Sequence, residues 1–207
     1  MPDPFQKRST MATAVLPLGD NRHAALLTGV VLAFVGSLLL VLSAKVKVPF
    51  WPVPMTMQTF AVLAIGAAYG WRLGAATVLL YLAYGLFGLP VFTNTPPLAA
   101  GPLYFVGPTG GFLAGFVVAA VIAGWAAERE ASWLRMALGL AVANVSIIAI
   151  GCAWLALGAQ MASGATGVGF ARAWAIGAEP FMLANSVKLA LAIAFTGASW
   201  SVISRRA

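Results

Sequence analysis

Reactive side chains are scarce in this sequence: one histidine, one cysteine and five acidic residues among 207. Hydrolytic or transfer chemistry needs an acid–base pair, a nucleophile with its base, or a set of metal ligands. His23 precedes the first long apolar run and reads as an interfacial residue, and of the acids only Glu179 lies near other polar groups of interest. An enzyme is therefore not expected, nor a metal or cofactor. No Gly-Lys-Ser/Thr follows any glycine-rich turn, so a step driven by ATP requires another chain. Cys152, alone in an apolar run, excludes an internal disulfide and reads as a packed thiol. Only 8% of residues are charged, against about 25% in soluble domains. The net charge of +7 comes from basic residues scattered singly between apolar runs. That spacing fits membrane topology better than a phosphate-binding patch, and no nucleic-acid partner is expected.

Hydrophobic residues make up 61% of the chain, which predicts an all-α integral membrane protein. Residues 1–23 are mixed polar, hold Pro2, Pro4 and Pro17, and lack the apolar core of a cleavable signal. They read as a cytoplasmic or surface-lying lead-in to one membrane domain, 24–207. Ala24 to Ala44 is free of charge over 21 positions, about the length that crosses a 30 Å hydrocarbon core. Further helices are expected from about Met55 to Gly70, Leu73 to Leu89, Pro108 onward, Met136 to Leu157, and Pro180 to Val202, six transmembrane helices in all. Trp71-Arg72 is too short for more than a tight turn, so the second and third helices form an antiparallel hairpin.

Two connections are rich in proline, Lys45 to Pro54 and Pro90 to Pro108. Proline cannot continue a helix and fixes its own φ, so both loops are pre-shaped. The stretch Gly158 to Gly177 is small and glycine-rich and is expected to reach over whatever binds nearby. With six crossings, Lys7, Arg8, Arg22, Arg72, Arg129, Arg135, Arg205 and Arg206 share one side, and Lys45, Lys47 and Arg172 the other. The positive-inside rule then makes both termini cytoplasmic. The proline loops, the glycine loop and the start of the last helix gather on the outer face.

At that start stand Asn185 and Lys188, at i, i+3 on one helix face. A lysine in a membrane helix costs up to roughly 3 kcal/mol on insertion scales and is by default a functional-site candidate. Snorkelling of Lys188 and an interhelical bond from Asn185 would account for the pair equally well. Thr56, Gln58 and Thr59 open the second helix, and capping explains one such residue but not three. On the first helix Ala25, Gly29, Ala33 and Ser37 form a stripe of small residues, suited to packing within the bundle or to a partner protein.

Four motifs occur in order: Pro52-Val53-Pro54-Met55-Thr56-Met57-Gln58-Thr59, Tyr81 through Gly88-Leu89-Pro90-Val91-Phe92, Gly107-Pro108-Thr109-Gly110-Gly111-Phe112, and Pro180-Phe181 with Asn185 and Lys188. Together they resemble the BioY family, the biotin-binding S components of energy-coupling factor transporters. The resemblance implies an S-component-like bundle in a bacterial cytoplasmic membrane. It also implies biotin as transported ligand, and a coupling transmembrane subunit and ATPase subunits as partners beside membrane lipid. Homo-oligomerisation is left open. The implied ligand residues are Asn185, Lys188, Thr56, Gln58, Thr59, Asn94 and Thr109, with Tyr81, Tyr84, Phe92 and Tyr104 for ring packing. Ala25, Gly29 and Ala33 would dock the coupling subunit. The family usually reads Asp-x-x-Lys where this chain has Asn185-x-x-Lys188, a neutral acceptor for a ureido N–H in place of a charged one. The loop from Asn94 to Gly107 holds no basic residue, which leaves Lys188, with Lys45 or Lys47 as helper, to meet the biotin carboxylate. A carrier or channel that needs no ATPase is the competing expectation.

Overall fold

A computed structural model of the chain describes residues 10–12, 22–48, 53–96, 98, 100–128 and 133–204. Most of the 1–23 lead-in lies outside the described residues. So do Pro49 and Pro52 of the first proline loop, Pro97 of the second, and the topology markers Lys7, Arg8, Arg129, Arg205 and Arg206. The fold is nearly all helical. Its elements are α1 (Arg22–Lys45), β1 (Lys47–Val48), β2 (Met55–Thr56), α2 (Gln58–Leu86), α3 (Pro102–Val106), α4 (Gly110–Glu128), α5 (Trp133–Leu157), α6 (Phe170–Gly177), a 3₁₀ turn (Glu179–Phe181) and α7 (Met182–Ser204). The strands pair antiparallel, Lys47 with Thr56 and Val48 with Met55.

Among the described residues five helical stretches are long and apolar enough to cross a membrane, the last running through α6, the turn and α7. The second and third expected helices are the two arms of α2, and helical structure already runs through Trp71-Arg72, where a turn was expected. The break sits one residue earlier, at Gly70, with φ 81 and ψ 169. Only glycine takes that conformation at little cost. The chain folds back there: a Cβ on Gly74 would lie 3.0 Å from Gly66 Cα, where a straight helix would separate the two by about 12 Å. The antiparallel hairpin read from the sequence is present, turned on a different residue.

α4 lies between α2 and α5. Small residues set the spacing: a Cβ on Gly66 would press on Ala120 and Ala123, and one on Gly115 would lie 3.0 Å from Ile147 Cα. Around these contacts Leu63, Val78, Tyr81, Phe92, Ala119 and Leu140 are almost fully buried. A smaller cluster of Val53, Leu155, Ala156, Ala159, Ala173 and Phe181 fastens α6 and the 3₁₀ turn to the end of α5. α1 is peripheral and packs on α2, leaving Leu26, Leu27, Val30 and Val31 more than half exposed. Such a face suits lipid rather than water.

Candidate functional site

The hairpin turn at Gly70 returns the end of α2 to its beginning, and this builds one wall of a cavity. Gln58 Nε2 donates to the Tyr81 hydroxyl at 2.7 Å, although the two residues would stand about 34 Å apart along a straight helix. Gln58 Oε1 accepts from Thr56 Oγ1 at 3.4 Å and from Thr93 Oγ1 at 3.3 Å. One amide thus joins both arms of α2, the strand pair and the second proline loop. Gln58, Thr59 and Thr93 are buried, so the Gln58 and Thr93 polar atoms are fixed by these bonds rather than by solvent.

Aromatic rings form the next part of the wall. Phe92 stacks on Tyr104 with centroids 4.5 Å apart and meets Tyr81 edge-on at 5.5 Å. Phe92 fits there because Gly85 has no side chain; a Cβ on Gly85 would overlap its ring. Burial holds the Tyr104 phenol above its ordinary pKa, while hydrogen bonds with Thr109 and with the Asn94 backbone pull it back down. Tyr104 is therefore neutral, an amphipathic wall rather than a charge. Phe112, Phe116, Ile147 and Phe181 complete the apolar lining.

α7 supplies the remaining polar groups. Lys188 Nζ lies 3.5 Å from Asn185 Oδ1, and both residues are buried, 7% and 9% exposed. Lys188 does not snorkel to the surface. Among the described residues lining the cavity it alone carries a charge. A separation of 3.5 Å puts the two side chains on one spot.

Thr56, Gln58, Thr59, Tyr81, Phe92, Tyr104, Thr109, Asn185 and Lys188 thus come together around one cavity. Tyr84 and Asn94 do not line it. The Tyr84 hydroxyl accepts from Ser37 Oγ at 3.5 Å, facing α1, and Asn94 Oδ1 accepts from Lys47 Nζ at 3.0 Å. The two candidate helper lysines are engaged elsewhere as well. Lys45 Nζ donates to the carbonyls of Pro90, Phe92 and Thr95, and Lys47 Nζ also donates to the Thr93 carbonyl. The glycine-rich stretch is a folded connection, not a reaching loop. Gly167 N donates to Ala159 O and Gln160 N to Val106 O, each at 2.9 Å or less. Residues Phe170–Gly177 are helical, and Gly177 alone of the stretch reaches the cavity. Thr93 and the apolar residues Met55, Phe112, Leu113, Phe116, Ile147 and Phe181 line the cavity without having been expected there from sequence. Thr93 adjoins the Pro90-Val91-Phe92 motif and Met55, Phe112 and Phe181 stand within the other motifs, signals that could have found them; Leu113, Phe116 and Ile147 look like any core positions in a chain this hydrophobic.

Comparison with known proteins adds the family. The sequence model of the BioY family matches residues 12–205. A probable biotin transporter BioY of Pyrococcus horikoshii is 35% identical over 150 residues, covering 72% of this chain and 82% of that protein. The biotin transporter BioY of Thermotoga maritima is 38% identical over 110 residues, covering 53% of this chain and 63% of the relative. In fold the chain is similar to the crystal structure of the S-component for biotin from an ECF-type ABC transporter. That likeness has a TM-score of 0.68 at 18% identity, over 82% of this chain and 89% of the other. Transporter relatives and several helices able to span a bilayer together make the chain a multi-pass membrane protein.

Proposed function

The chain belongs to the BioY family, and from that premise we propose that it captures biotin from outside a bacterial cytoplasmic membrane and passes it inward with a coupling membrane subunit and ATPase subunits. It is a transport protein, not an enzyme. The two arms of α2 count as separate crossings, which gives six and leaves both termini cytoplasmic. The support for that orientation is the excess of basic residues it puts inside, eight including Arg72 at the turn end of the hairpin, against Lys45, Lys47 and Arg172 outside.

The observation that carries the reading is Lys188, the single cation among the described residues that line the cavity, set beside Asn185 and facing neutral polar groups and rings. Biotin offers a carboxylate, a ureido group and an apolar bicycle. Lys188 Nζ and the Asn185 amide bind the carboxylate together, since they share one spot. Gln58, Thr56 and Thr93 supply donors and acceptors for the ureido group, and Phe92 and Tyr104 pack on the bicycle. The cavity has a volume of about 60 Å³.

Titration of the purified chain with biotin, beside Lys188→Ala and at two salt concentrations, tests this. Saturable tight binding that is lost in the variant is expected. A folded chain that binds no biotin would refute the ligand. Liposomes holding this chain alone should show no biotin flux, and rapid flux would favour the self-sufficient carrier.

A further inference from the structure

An ammonium group has three hydrogens to donate. Those of Lys45 face three carbonyl oxygens, of Pro90 and Phe92 at 2.8 Å and of Thr95 at 2.7 Å. Lys45 is exposed at the end of α1, yet its head is turned into the loop. That loop is wound tightly: Val91 N donates to Leu89 O at 2.8 Å, and Thr95 Oγ1 donates to Phe92 O at 2.8 Å. Three carbonyl oxygens pointing at one spot repel one another unless a cation stands among them. Residues 90–107 contain no lysine or arginine to serve. The loop's two central side chains, Phe92 and Thr93, are those that enter the cavity wall, against Tyr104 and on Gln58 Oε1.

We propose that Lys45 is a positioning residue for the binding site: its ammonium, saturated by the Pro90, Phe92 and Thr95 carbonyls, holds Phe92 and Thr93 in place and takes no part in binding the ligand's carboxylate. A carboxylate would have to displace one of those carbonyls to reach it. The ligand side of this inference rests on the biotin reading; the loop side does not.

The experiment uses the full chain in detergent, wild type, Lys45→Met and Lys45→Arg. Biotin and its uncharged amide are titrated, and amide hydrogen exchange of the ligand-free protein is followed through 89–98 and, as a folding control, through α4 and α5. Lys45→Met should weaken both ligands by the same factor, about tenfold or more, with their affinity ratio unchanged and with faster exchange confined to the loop. Lys45→Arg keeps the charge on a planar fork and should recover little of the loss. Two results overturn the proposal: an affinity ratio that falls toward one in Lys45→Met, which would mean direct contact with the carboxylate, or exchange through 89–98 that does not change. If the wild type binds neither ligand the biotin reading fails, and the exchange measurement alone then decides whether Lys45 holds the loop.

Discussion

Gln58 and Tyr81, on the two helical arms of α2, are joined by a 2.7 Å hydrogen bond because the chain folds back at Gly70. The bond is buried, and Gln58 Oε1 is already held by Thr56 and Thr93. Tyr81→Phe keeps the ring against Phe92 but leaves a Gln58 N–H unpaired. The expected cost is about 1–3 kcal/mol of stability, read as an earlier unfolding midpoint in a denaturant titration in detergent. An unchanged midpoint would mean that Gln58 simply turns to another partner, and that the amide is not fixed by the hairpin.

Lys188 and Asn185, within 3.5 Å of each other, are expected to hold the same end of the ligand. Lys188→Met retains most of the side-chain volume and removes the charge. Biotin affinity should fall about tenfold to a hundredfold, the range for a lost charge-assisted bond, while the uncharged amide of biotin loses little. Equal losses for both ligands would move Lys188 from the carboxylate to the ureido carbonyl.

The parts of this site that are legible in the sequence are those whose residue type conflicts with a membrane helix. Lys188, Asn185, Gln58 and the Thr56/Thr59 pair are out of place beside or within apolar runs, and each stands out there by polarity alone. Phe92, Tyr81 and Tyr104 came only with the motif resemblance, since aromatic residues in such a chain are equally at home in a core. Tyr84 and Asn94 belong to the same motifs or loops and face elsewhere, toward Ser37 and Lys47. Which way a side chain points within a loop depends on contacts distant in sequence, such as the Lys45 clamp, and spacing does not encode them. The turn residue was missed for a related reason: Trp71-Arg72 looks like a turn by polarity, whereas the chain turns where φ can be positive, at Gly70.

Gly85 tests how the ring wall depends on a missing side chain. Gly85→Ala would favour the helix intrinsically by up to about 1 kcal/mol, but its methyl group overlaps the Phe92 ring. Overpacking of this kind costs about 1–3 kcal/mol, and a ring that yields disturbs the stacking on Tyr104. Weaker biotin binding together with lower thermal stability is the expected outcome. A variant more stable than wild type with normal binding would show that Phe92 has room to move, and that its stacking is not needed.

Gly29 and Gly36 lie on the same helix and separate internal packing from docking. A Cβ on Gly36 would lie 2.7 Å from Thr77 Cγ2, whereas one on Gly29 meets nothing within 4 Å. The stripe of Ala25, Gly29 and Ala33 is therefore uncovered at its centre by this chain's own described helices, while its continuation at Ser37 is buried. The open space at Gly29 leaves room there for close approach by another helix. Gly29→Leu should leave the isolated chain's stability and biotin affinity unchanged and abolish its co-purification with the coupling membrane subunit. Gly36→Leu should destabilise the chain by itself, with or without the partner. Retention of the complex in Gly29→Leu would leave the stripe facing lipid, and the docking surface would then have to be sought on another helix.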